Sequence, residues 1–362
     1  MVGHDSDCAI FDARGVLPRM KVAILLLAAA TACGSSSNKG TADGPPYGGH
    51  DGPGSGSNNP GRDGGTDGAV QPVTRTIFVI VMENESSSLI YTNTTAAPYI
   101  NSTLIPIAAQ ATSFTDELPS IIPSEPHYVW MEAGTNAFSD KTFTTDNDAS
   151  SSNSTNNTDH LVTKLKAAGI SWMSYQEGIA ANTCPVGSSS GSPNFYAAKH
   201  DPFVFFQDVS GATPSPSNAY CAAHHKPYSS FVADLAANNM AAYVFITPNL
   251  CNDMHGASGC AQSGTNGDIN MGDNWLQSEM PRILTYANAH NSVVYLTWDE
   301  GSTDQKTAFL AFSPHIKTGP IGTAYTHSSL VKSIAEQLGV TPPSVVSSAT
   351  DFTDMFATGY FK

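Results

Sequence analysis

Three uninterrupted apolar runs rich in β-branched residues, 76–82 (TIFVIVM), 242–247 (AYVFIT) and 293–298 (VVYLTW), constrain this chain more than anything else in it. A strand wetted on one face alternates apolar and polar residues, so a strand without alternation must be covered on both faces. Shorter strand-like runs lie at residues 113–118, 171–175 and 308–312. Between them, residues 98–111, 126–133, 161–168, 231–238, 275–289 and 328–338 carry helical spacing, and glycines at 169 and 339 suit helix ends. Strands alternating with helices specify an α/β fold with a mostly parallel sheet between helical layers. Such sheets bind ligands at the carboxyl ends of their strands. The residues just past the three strongest runs are Glu83-Asn84, the segment 249–255 and Asp299-Glu300.

The first 72 residues have another character. Residues 20–33 give a basic start, an apolar run of 11 residues from Val22 to Ala32, and small residues before a cysteine. That run is too short to span a hydrocarbon core of about 30 Å. It resembles a bacterial lipoprotein signal peptide, which implies Ala30-Thr31-Ala32-Cys33 as cleavage box and Cys33 as the lipidated mature end, with Met20 as the true start. Residues 34–72 hold 12 of the 30 glycines and little that is apolar, the composition of a tether. As a flexible coil its 39 residues span roughly 35 Å. The expected domains are therefore a signal region at 1–33, a tether at 34–72 and an anchored enzyme or binding domain at 73–362. The expected location is outside the cytoplasm, on a periplasmic or cell-surface lipoprotein held to the membrane by its anchor.

Asp and Glu number 31 against 16 Lys and Arg, a net charge of −15, which argues against nucleic acid as a partner. With Cys8 and Cys33 set aside, Cys184, Cys221, Cys251 and Cys260 remain. Their spacings fit no zinc motif. In an exported protein the sequential pairing is favoured among the three possible, Cys184 with Cys221 and Cys251 with Cys260. The polar clusters 146–159 and 187–194 read as surface loops.

Two acidic pairs delivered to one sheet edge, with an amide beside one of them, make an oxygen-rich cage for a divalent cation; each could also be a plain acidic strand end. Ser124 lies between Pro123 and Glu125-Pro126 at the start of a helical segment, where N–H groups point at an anion, and it could equally be a simple helix cap. His255 and His327 are loop histidines able to act as general acid or to contact phosphate oxygens.

In order along the chain, Phe78-Val79-Ile80-Val81-Met82-Glu83-Asn84, Pro123-Ser124, the stretch from Ile246 to His255 (ITPNLCNDMH) and Thr297-Trp298-Asp299-Glu300-Gly301 resemble the bacterial phosphoesterase family. That family holds acid phosphatases and phospholipases C and belongs to the alkaline phosphatase-like superfamily. The resemblance runs from about residue 75 to 356. It implies metal ligation by Glu83, Asn84, Ser124, Asp299 and Glu300, with Ser124 also the nucleophile. It further implies His255 and His327 near the phosphate and Asp253 as a supporting carboxylate. His127 and Asn249 are candidates for substrate contact. Relatives commonly have His at the position of Ile122, Asn at that of His127, and a histidine near Gln305-Lys306. One divalent metal ion is expected. The implied activity is hydrolysis of phosphate monoesters through a phosphoserine, on a phosphorylated small molecule or a phospholipid. The alternatives are a phospholipase C-type diesterase and a lipoprotein that binds phosphate without turnover.

Overall fold

The computed structural model describes residues 75–362; the expected signal region, the expected lipidation site at Cys33 and the expected tether lie outside the described residues. Eight strands form one sheet, in the order β4-β3-β5-β1-β6-β7-β2-β8. In chain order these are β1 (Ile77–Met82), β2 (Ala109–Phe114), β3 (Trp172–Gln176), β4 (His225–Pro227), β5 (Tyr243–Thr247), β6 (Val293–Trp298), β7 (Phe309–Phe312) and β8 (Gly319–Tyr325). Every pairing is parallel except those of β7 with β6 and with β2. The three apolar runs occupy the centre as β5, β1 and β6, and every residue of these strands is buried.

Alternate side chains of β1 enter opposite cores, as a strand covered on both faces requires. Ile77, Val79 and Val81 join the layer containing α1 (Ser124–Ala133), α2 (Leu161–Ala167) and α6 (His327–Gln337). Phe78, Ile80 and Met82 face α4 (Phe231–Ala236) and α5 (Thr265–Ala289). A shorter helix, α3 (Ala219–His224), carries Cys221. The expected disulfides are present, with Cα separations of 5.1 Å for Cys184–Cys221 and 5.4 Å for Cys251–Cys260. Among the described residues no helix is long and apolar enough to cross a membrane.

Several local expectations shift. The helix expected over 98–111 is two short turns, Ile100–Leu104 and Ile105–Ile107, and the strand begins at Ala109 rather than 113. Pro106 has no N–H to continue the turn. Helix α5 starts ten residues before the expected 275, because its first three turns are mostly polar and hide the periodicity. Strand β8 was not legible at all: its small residues alternate half-buried and exposed at the sheet edge, only Tyr325 is buried, and there is no apolar run. Nor is 146–159 purely a surface loop, since Asn153 and Thr155 are buried and Asn153 Nδ2 donates to Glu125 Oε1 at 3.1 Å.

Candidate active site

The register of the sheet assembles the site. Strands β1 and β6 are parallel neighbours with Met82 opposite Trp298, so the residues that follow, Glu83-Asn84 and Asp299-Glu300, leave the sheet side by side. The Asn84 N–H donates to Asp299 Oδ1 at 3.0 Å. Strand β5 flanks β1 on its other side and feeds the loop 248–256, whose Asp253 carbonyl accepts from the Glu83 N–H at 2.7 Å. Asn84 and Met254 hold φ of 49° and 83°, left-handed values uncommon outside glycine and concentrated at functional sites. Gly301 is required by packing: a Cβ there would lie 2.2 Å from the Asp304 carbonyl oxygen.

Helix α1 begins at Ser124, and Pro123 before it is extended. The Ser124 hydroxyl donates to Glu83 Oε2 at 3.2 Å and lies 3.5 Å from Glu300 Oε1. The Asn84 amide atom facing this cluster is 3.0 Å from Glu83 Oε2 and 3.1 Å from Glu300 Oε1. Nitrogen at that position donates to both carboxylates. Oxygen there, with the two carboxylates and the hydroxyl, makes a cage of oxygens. Five side chains from three separate stretches of sequence therefore converge: Glu83, Asn84, Ser124, Asp299 and Glu300.

Charge is in conflict within this cluster. Burial pushes the carboxyl of Glu83 above its ordinary range. Burial and then the Glu83 charge push Asp253 and Asp299 well up, and push Glu300 up to about 9. Glu83 Oε1, Asp253 Oδ2 and Asp299 Oδ2 are buried without a hydrogen-bond donor. Orphaned carboxylate oxygens beside an amide and a hydroxyl are a donor set for a hard divalent cation, which would supply the missing positive charge. Among the described residues another group, Asp116, Glu117 and His327, has ligand atoms that all lie within 4.8 Å of one another. The Glu117 oxygens are already engaged, and histidines flank the Asp116 carboxylate. Glu117 accepts the N–H groups of His327 and Ser328 at 3.2 and 2.9 Å, capping α6. The Glu83 cluster fits a cation better.

The other expected residues are placed as follows. His327 is buried, its Nδ1 3.2 Å from Asp116 Oδ1 and its Nε2 2.9 Å from the Trp298 carbonyl oxygen. Burial disfavours the imidazolium, but the Asp116 carboxylate outweighs it and raises the pKa. With both nitrogens engaged, His327 ties the start of α6 to Asp116 and to the end of β6. His127 Nδ1 lies 2.5 Å from Asp116 Oδ2 and its Nε2 3.6 Å from Glu300 Oε2, so the residue at the relatives' Asn position does border the site. His255 engages the Gly256 carbonyl through Nδ1 at 2.7 Å, and its ring lies 5.8 Å from that of His200. Asp253 Oδ1 accepts from the His255 N–H at 2.8 Å. Asn249 turns its side-chain oxygen to the Cys251 N–H at 3.0 Å, within its own loop. Gln305 donates to the carbonyls of Asp116 and Leu118 at 3.2 and 3.0 Å, bracing the loop where relatives often have histidine.

Sequence reasoning missed three residues. Asp116, at the end of β2, holds His127 and His327 together. His200 Nε2 lies 3.2 Å from Glu83 Oε1 and its Nδ1 3.4 Å from Asp253 Oδ2. Burial, with Lys199 and His255 nearby, drives its pKa well down, so its imidazole is neutral. Lys199 places Nζ 2.5 Å from Asp146 Oδ2. The signal for the last two was the adjacent Lys199-His200 pair in a chain poor in basic residues.

A hydroxyl at a helix start, backed by three carboxylates and an amide at the carboxyl edge of parallel strands, is the arrangement of an α/β-class hydrolase of phosphoric esters. Residues 81–341 match the Phosphoesterase family, and the chain belongs to it. It is 26% identical over 287 residues to a phosphatidylinositol-3-phosphatase of Mycobacterium tuberculosis, covering 79% of this chain and 84% of that one. It is 29% identical over 231 residues to a phosphate-repressible acid phosphatase of Penicillium chrysogenum, covering 60% of this chain and half of the fungal one. The fold is similar to a Vibrio parahaemolyticus protein of the alkaline phosphatase superfamily, at a TM-score of 0.50, 11% identity and 79% and 72% coverage. It is equally similar to murine ectonucleotide pyrophosphatase/phosphodiesterase 5, at a TM-score of 0.50, 10% identity and 78% and 100% coverage.

Proposed function

We propose that this chain hydrolyses phosphate monoesters through a phosphoserine at Ser124, with one divalent cation held by Glu83, Asn84, Ser124, Asp299 and Glu300. One observation carries the reading: the Ser124 hydroxyl, at the first residue of a ten-residue helix, points at Glu83 and Glu300 at 3.2 and 3.5 Å. The two phosphatases named above support monoesters as substrates. Such a cation, when bound, neutralises the carboxylates and lowers the pKa of the serine hydroxyl. Ser124 passes its proton to Glu83 as the Oγ–P bond forms. The phosphorus–alkoxide bond breaks, and His255, protonated at Nε2, gives its proton to the leaving oxygen. Deprotonated His255 then takes a proton from the water that attacks phosphorus, breaking the P–Oγ bond, and the Glu83 proton returns to Ser124. The N–H groups at the α1 start meet charge on the non-bridging oxygens.

The test is turnover of p-nitrophenyl phosphate by the purified chain after chelation and across a panel of divalent ions. Activity restored by a stoichiometric ion and abolished in Ser124→Ala, with its circular dichroism unchanged, is the expected result; full turnover by Ser124→Ala overturns it. Lipidation at Cys33 and export belong to the same proposal. Cys33→Ser should move the protein from the membrane fraction to the soluble fraction, and an unchanged membrane fraction would overturn that part.

A further inference from the structure

Lys199 lies in the turn before His200, whose ring touches Glu83, and its ammonium is 2.5 Å from Asp146 Oδ2. The other oxygen of that carboxylate, Oδ1, accepts the N–H of Glu125 at 3.1 Å, one residue from Ser124. Asp146 thus spans two groups that both favour an anion, a lysine and the Glu125 N–H in the first turn of α1. A phosphoryl group attached to or leaving Ser124 needs the same two contacts. Lys199 lies within electrostatic range of Glu83 and Asp299, and Glu300 within range of both Asp146 and Lys199. Its side chain is 16% exposed and that of Asp146 36%, whereas Ser124 is 2% exposed, so the pair lies outward of the hydroxyl.

We propose that Lys199 is the specificity-determining residue of this site: its ammonium transfers from the Asp146 carboxylate to a non-bridging phosphoryl oxygen and so favours doubly charged monoesters over singly charged diesters. This rests on the preceding reading of Ser124 as the site of phosphoryl transfer. The physical basis is charge. A monoester carries a second negative oxygen at neutral pH that a diester has exchanged for an ester link, and a lysine contributes a full point charge to it. Releasing Asp146 costs little, because that carboxylate is more than a third exposed and water takes over its solvation.

The experiment measures kcat/KM of the full chain, of Lys199→Gln and of Lys199→Arg on p-nitrophenyl phosphate and p-nitrophenyl phosphorylcholine, with calorimetric binding of inorganic phosphate to each. Loss of one charge-assisted hydrogen bond corresponds to roughly a tenfold to hundredfold change. Lys199→Gln should lose that much on the monoester and in phosphate affinity, with less than about a threefold loss on the diester, and Lys199→Arg should recover most of it. An equal loss on both substrates would mean that Lys199 only neutralises the buried carboxylates, and the proposal would fail while the Ser124 assignment stood. If the unaltered chain turned over neither ester, the Ser124 reading would fall, and phosphate affinity unaltered by Lys199→Gln would overturn the Lys199 proposal on its own.

Discussion

Chelated protein should lose thermal stability steadily as pH rises from about 5 to about 8, and divalent ions should reverse the trend. The cause is the carboxyl cluster. Burial first, and then the charge of Glu83, hold Glu300 at about 9 against an ordinary 4.5. A carboxyl whose folded pKa lies above its unfolded value binds more protons when folded, so folding is favoured at low pH. Stability is then lost as pH climbs from the unfolded value toward the folded one. For Glu300 that window runs from 4.5 to about 9. At about 1.4 kcal/mol per pH unit, the three units from about pH 5 to about pH 8 amount to roughly 4 kcal/mol. Glu83, Asp253 and Asp299 share the same field and titrate with Glu300 as a set, so the figure is the scale for the cluster and not one share of a larger sum. At about 2 °C per kcal/mol for a domain of this size, Tm should fall by roughly 8 °C. The assay is Tm by circular dichroism across a pH series, with chelator and with an excess of divalent ion, on the unaltered chain and on Glu300→Gln. The imidazolium groups of His160 and His327 are stabilising below their raised pKa values and fade in the same direction, which is why the variant is needed. Glu300→Gln should flatten the chelated curve, exceed the unaltered chain at the alkaline end, and gain less from added ion. A chelated Tm that is flat or rising with pH, or a variant with the unaltered slope, would refute the reasoning.

Two further outcomes concern stability away from the site. His160 lies buried with Nδ1 2.8 Å from Glu132 Oε1 and Nε2 3.0 Å from Asp208 Oδ1, joining α2 to the second half of α1. Replacing it by Gln leaves Glu132 buried without its cation and should cost about 3–5 kcal/mol in chemical denaturation; a loss under about 1 kcal/mol would show that the network is already neutral. The Cys184–Cys221 bridge closes a sequence separation of 37 and the Cys251–Cys260 bridge one of 9, so removing the first as a double serine variant should cost about 4 kcal/mol and the second about 3. The reverse order would show that the second bridge acts by holding the loop of Asp253 and His255 in its folded form.

The central strands were legible because burial on both faces leaves no alternation to misread, and their parallel register then fixed where Glu83, Asn84, Asp299 and Glu300 would emerge. Ser124 was legible from the two prolines around it. Edge strand β8 and the first turns of α5 were not, since neither has an apolar stripe. The same limit applies to Asp116, Lys199 and His200. Their importance comes from what packs against them: Asp116 between two histidines, His200 against Glu83, and Lys199 against a loop that composition alone assigned to the surface. Polar residues whose partners lie far away in sequence carry no local period, and only the fold pairs them.

Acid quenching during steady turnover of p-nitrophenyl phosphate, followed by peptide mass spectrometry, tests the assignment of Ser124 most directly. One phosphoryl group on the peptide that begins α1, located at Ser124 and absent from Ser124→Ala, is the predicted result. Sustained turnover with no label on Ser124, or with the label on a histidine, would contradict it.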